Sequence, residues 1–144
     1  MRKVLPFILA IALLSSCAEA SNLGTSSGVL STPNSDEIIA TAFETQQGDL
    51  QVEGQGHVIK LLPDDLKGSK HQRFIIELAS GQTVLIAHNI DLAQKIDSLK
   101  EGDLVEFYGE YEWNPEGGVI HWTHHDPAGK HVDGWLKHQG ILYL

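Results

Sequence analysis

The chain has 144 residues, a single cysteine and a formal charge of −9. The length suits one domain of ordinary size after its N-terminal segments. The charge excludes a general nucleic-acid or other polyanion binder, whose affinity comes from Lys and Arg, and one cysteine excludes an internal disulfide, so the core has to hold the fold.

The N-terminus reads "MRKVLPFILAIALLSSCAEASN". Arg2 and Lys3 form a basic start, Val4 to Leu14 an apolar run too short to span a bilayer, and small residues follow, which is the layout of a secretory signal. Leu14-Ser15-Ser16-Cys17 resembles a bacterial lipobox. That resemblance implies a lipoprotein-type signal peptide over residues 1–16, lipidation of Cys17, a membrane anchor through that lipid, and an outer-membrane lipoprotein facing the periplasm. The rival is ordinary cleavage after Ala18-Glu19-Ala20, which gives a soluble periplasmic or secreted protein. Loss of Arg2 and Lys3 with the signal carries the formal charge from −9 to −11. Residues 17–34, rich in Ser, Gly, Ala and Thr, read as a flexible tether, and residues 35–144 as one domain.

Ser35-Asp36-Glu37 looks like a helix start, with Ile38, Ile39, Ala42 and Phe43 on one face and an end by Gly48. The period then changes to two. In "LQVEGQGHVIKLL" Leu50, Val52, Gly54, Gly56 and Val58 share a face, and the two glycines predict a bend or bulge. "PDDLKGSK" is a turn. "HQRFIIEL" is a strand with Phe74, Ile76 and Leu78 on one face and His71, Arg73, Ile75 and Glu77 on the other. "QTVLIAH" is its hairpin partner. "IDLAQKIDSL" carries Ile90, Leu92, Ala93 and Ile96 at helical spacing. "KEGDLVEFYGEYEW" is a strand with Val105, Phe107, Gly109, Tyr111 and Trp113 inward; its other face, with Glu106, Glu110 and Glu112, reads as a solvated stripe. "VIHWTH" pairs with it. Three strands, a helix and two strands, with a helix before them, predict a mainly β protein: an OB-fold-like small Greek-key barrel with its helix between the third and fourth strands. The alternative is an open α+β sheet with one covering helix.

The segments "DD…G…HQRF", "AHNIDLA", "GEYEWN" and "HWTHHDP…H…GW" together resemble a bacterial family of unknown function, number 3465, over about residues 50 to 140. The resemblance implies that these segments form one unit and brings no activity.

The histidine-rich stretch "HWTHHDPAGKHVDGW" can be tested by reach. On a straight strand His121 and His125 stand about 13 Å apart at roughly 3.3 Å per residue, and ligands of one zinc ion lie about 2 Å from it, so they cannot share an ion. Asp126-Pro127 ends the strand, and "PAGKH" can return His131 toward His124 or His125. His88, His124, His125 and His131 are the candidate ligands of a divalent metal such as zinc, and His71, Arg73, His124 and Asp126 the candidate catalytic residues. Asp91 or Asn89 is expected to cap the helix that follows. His57 and His138 read as ordinary structural histidines. Three functions fit these residues. The first is an envelope binding module, with a His/Arg/Trp pocket for a small anionic or polymeric ligand. The second is a metal-dependent hydrolase of phosphodiesterase or nuclease type, in which metal activates water and Arg73 stabilises negative charge. The third is periplasmic metal binding.

Overall fold

A computed structural model describes residues 34–144. The expected signal peptide, the lipidated Cys17 and almost all of the expected tether lie outside the described residues. Among the described residues no helix is long and apolar enough to cross a membrane.

The first element is α1, Ser35–Glu44, where the sequence expects a helix. Asn34 caps it: its side chain accepts from the Glu37 N–H, while the Glu37 carboxylate reaches back to the Asn34 N–H. This reciprocal box satisfies two of the donors that a helix start leaves open. Ile39 and Ala42 are the buried face.

Seven strands follow: β1 Leu50–Asp65, β2 His71–Glu77, β3 Thr83–Asn89, β4 Leu104–Glu112, β5 Val119–His121, β6 Trp135–His138 and β7 Ile141–Tyr143. They form one sheet in the order β1-β2-β3-β5-β4-β6-β7, and β1 also pairs with β4. The extra pairing closes β1-β2-β3-β5-β4 into a ring. β1 can serve two neighbours because it is long and bent. Residues 50–57 pair with β4 and residues 57–65 with β2, so His57 stands at the corner opposite both Leu104 and Glu77. Gly56 passes so close to β2 that an added Cβ would lie 2.8 Å from the Glu77 carbonyl oxygen. Inward-facing Val52, Val58, Phe74, Ile76, Val84, Ile86, Val105, Phe107, Tyr111 and Ile120 make the core, as the period-two alternation requires.

Three expectations are corrected. The segment Ile90–Leu99 is a series of turns, not a helix between the third and fourth strands. Its apolar residues Ala93, Ile96 and Leu99 are still buried. The reason lies in polar side chains that point inward from the strands. Gln72 donates to the Ile96 carbonyl and accepts from the Ile96 N–H, both at 2.9 Å, and His88 donates to the Gln94 carbonyl. Backbone groups that a helix would have paired internally are met by tertiary partners. Second, the described residues hold seven strands rather than five. Trp135–His138 and Ile141–Tyr143 form a hairpin whose turn residues, Gln139 and Gly140, both have positive φ, the conformation a tight two-residue hairpin demands. Third, the strand expected over "VIHWTH" stops at His121, because Trp122 takes a left-handed φ of 53°.

Candidate functional site

The kink at Trp122 decides where the histidines go. His71 and Asn89 face each other across β2 and β3. The last β3–β5 pair is Ile86–Ile120, and one step further come Ala87 and His121 on the outer face. The left-handed Trp122 then turns the chain so that His124 comes back over the same region. Ser69, His71, Asn89, His121, Trp122 and His124 line a hollow of about 270 Å³ there. A larger hollow of about 360 Å³ lies elsewhere, along Asp103, Glu106, Lys137 and His138. Its histidine is 1% exposed and bonded to Asp103 at 2.8 Å, so it offers a ligand little chemistry.

Two imidazoles of the first hollow are held in a defined tautomer. Nδ1–H of His71 donates to the Ser69 carbonyl, and Nδ1–H of His124 donates to the His125 carbonyl, each at 2.8 Å. A neutral imidazole has only one N–H, so Nε2 of each ring carries a lone pair. Backbone anchoring of one ring nitrogen is also how proteins orient imidazoles that present the other to a ligand.

Beside the hollow stands Glu110 on β4, directly opposite His121 on β5. Its carboxylate receives His121 Nε2 at 3.1 Å on one oxygen and His131 Nε2 at 2.5 Å on the other. Burial alone would raise the Glu110 carboxyl, but the hydrogen bond from His131 and the two imidazoles' charges outweigh it and hold it below the usual range. For His131 burial works against the charged ring, and the Glu110 and Val132 hydrogen bonds together raise it above its usual value. Trp122 packs between imidazoles: the His131 ring is stacked on it at 4.0 Å and 7°, and His124 lies tilted at 5.3 Å. The outer face of β4 is therefore not the plain solvated stripe expected of Glu106, Glu110 and Glu112. The hairpin register about the Asn114–Gly118 turn, which sets Glu110 against His121, was the signal that could have found this pair.

Asp126 builds the loop that delivers His131. Its carboxylate accepts from the N–H groups of Ala128, Lys130 and His131 at 2.9, 2.7 and 2.9 Å. Those bonds hold its carboxyl below the usual range, and they leave it no free role as acid or base. Asp126→Ala is expected to keep the fold and to speed hydrogen exchange of these three amides; unchanged protection in an exchange experiment would contradict this role.

The remaining candidates lie elsewhere. His88 is fully buried beneath the hollow, not in it. Its Nε2–H donates to the Gln94 carbonyl and its Nδ1 accepts from the Thr123 hydroxyl at 2.9 Å. Both nitrogens are satisfied in the neutral ring, and burial, followed by the nearby His124 and His71, lowers its pKa to about 4 despite the Gln94 bond. Arg73 turns its guanidinium onto the Pro63 carbonyl at 3.1 and 2.9 Å and lines a different depression, with Asp64 and Lys95, which pair with each other. His125 is exposed and donates to Asp133 at 2.8 Å. Asn89 and Asp91 cap no helix; Asn89 accepts the Asp91 N–H, and Asp91 accepts the Lys70 N–H. The structure thus brings His71 and His124 together with His121, sets His131 next to them, and keeps His88, Arg73 and His125 apart from that hollow.

Ring and side chains together define a mainly β domain with one imidazole-rich outer face. The chain belongs to the family described as "Protein of unknown function (DUF3465)", whose model matches residues 22–144. Among curated proteins none matches it.

Proposed function

We propose that the chain is an exported binding module, carried at the cell envelope by a lipid on Cys17, whose ring of strands is of the OB type and whose hollow holds a hydroxyl-rich ligand such as a sugar polymer. The strand order with β3 beside β5 and β4 closing on β1 supports the OB assignment, since it is a five-strand ring with Greek-key connections. The observation that carries the function is the convergence of His71, His121 and His124 on one hollow, two of them anchored through Nδ1. Fixed acceptor nitrogens, an asparagine and a serine beside an indole suit hydroxyl donors and an apolar sugar face. Among the described residues no Lys or Arg lines this hollow, so the ligand class shifts from small anions toward neutral polyols. Hydrolysis is less well supported, because Arg73 and Asp126 are both engaged with the backbone.

The test is a titration with cello- and chito-oligosaccharides, followed by imidazole NMR resonances. The rings of His71, His121 and His124 are expected to shift together, and His71→Ala to weaken binding roughly tenfold, the worth of one hydrogen bond. Shifts confined to other histidines, or none at all, would remove the hollow from consideration.

A further inference from the structure

A second cluster shares only His121 with the hollow. Glu110 and His121 stand opposite each other, and Glu112 is two residues along the same strand face. One ligand atom from each of these three comes within 4.8 Å of the others. His131 joins from the loop through its Nε2 contact with Glu110 at 2.5 Å. Its Nδ1–H is already used, donating to the Val132 carbonyl at 2.8 Å. With both ring nitrogens facing oxygens, His131 in this arrangement carries two protons and a positive charge. The second proton answers for one carboxylate contact. Two carboxylates and the His121 imidazole drawn within 4.8 Å of one another carry more negative charge than that one proton offsets.

We propose that Glu110, Glu112, His121 and His131 form a binding site for a first-row divalent transition ion, with zinc the best match. Two imidazole nitrogens and carboxylate oxygens are the donor set such ions take, whereas magnesium and calcium prefer oxygen alone. Bonds of about 2 Å set ligand atoms roughly 3 Å apart around one ion. The His121–Glu110 separation of 3.1 Å already meets this. His131 touches Glu110 but stands outside the group of three, so it has to swing inward to reach the ion, and it sits on a loop rather than a strand. The Val132 carbonyl fixes its ring as an outer partner does for a metal-bound imidazole, and the indole of Trp122 stacked on that ring favours positive charge on it. An ion held here ties β4, β5 and the loop together.

The experiment uses the mature, tag-free chain, stripped with chelator and titrated calorimetrically with zinc chloride. One zinc per chain is expected to bind at micromolar or tighter Kd, to raise Tm, and to resist competition by millimolar magnesium. Glu112→Gln, which keeps the shape of the side chain, is expected to weaken zinc at least about tenfold, as are His121→Ala and His131→Ala; His125→Ala and His71→Ala are expected to leave it unchanged. Absence of one-to-one binding, or wild-type affinity in Glu112→Gln, overturns the site. Loss of zinc in His71→Ala overturns it as well, by moving the ion into the hollow. The oligosaccharide titration, with its own dependence on His71, stands or falls separately.

Discussion

Between pH 6.5 and 4 the domain is expected to lose about 3 kcal/mol of folding stability through His88 alone. Burial, reinforced by the neighbouring His124 and His71, lowers this imidazole from 6.5 to about 4, and each tenfold change in proton affinity is worth about 1.4 kcal/mol. The sign follows from which state takes the proton. As pH falls through 6.5 the unfolded chain protonates at this ring and the folded chain does not, so the folded state loses ground until about pH 4, where it protonates too. His131 works the other way. Its raised value contributes stability that is complete below pH 6.5 and is lost as pH rises through the folded-state value. Asp103, Asp126 and Asp133 are all lowered, mainly by hydrogen bonds, and their contribution is lost only in stronger acid. Urea denaturation at stepped pH checks the His88 contribution. Wild type is expected to weaken steeply from pH 6.5 to 4, and His88→Asn, which keeps a hydrogen-bonding side chain, to follow a flatter line. Equal slopes would mean that the ring is not held neutral.

The second large effect is expected at Gly134, where the loop rejoins the ring just before β6. A Cβ there would lie 1.9 Å from the Trp122 carbonyl oxygen and 2.5 Å from that of Tyr108. Both obstacles are backbone, so neither can swing aside as a side-chain end would. The Gly134 N–H also donates to the His124 carbonyl at 2.9 Å, which holds the turned segment in place. Gly134→Ala therefore has to push the loop away from β4. Overpacking of this kind costs about 1–3 kcal/mol, and here the displaced segment carries Trp122, His124 and His131. The denaturation midpoint is expected to fall accordingly, and the His131 ring resonances to lose the upfield displacement that stacking on Trp122 causes. A variant with wild-type stability and an intact stack would show that the close approach is not real.

Much of the ring could be read from the chain because a half-buried strand writes its faces in alternation. Phe74 and Ile76, or Val105, Phe107 and Tyr111, point inward as their spacing says, and Gly54 and Gly56 mark the strand that bends. The segment Ile90–Leu99 could not be read the same way. Its apolar spacing is helical and Ala93, Ile96 and Leu99 are buried, yet Gln72 and His88, distant in sequence, capture the backbone groups that decide between helix and turn. The hairpin after Trp135 was hidden in a short stretch whose Gln139-Gly140 turn is a weaker signal than Asn-Gly. Among the candidate residues, the density of histidine pointed to the face where His71, His121 and His124 gather, but partners did not follow from density. Arg73 was drawn to a carbonyl ten residues away and His88 to the core, both choices set by tertiary surroundings. Glu110 looked like one of several strand carboxylates until pairing put His121 across from it.

The proposed binding at the hollow depends on His71 and His124 each spending Nδ1–H on a backbone carbonyl, which leaves Nε2 of each ring free for the shared space. Long-range proton–nitrogen NMR spectra of the imidazole rings at neutral pH read this directly. Both rings are expected to show a protonated Nδ1 and a bare Nε2, with through-space contacts from each to Trp122 or His121. Rings protonated at Nε2, or averaging between tautomers without such contacts, would contradict it.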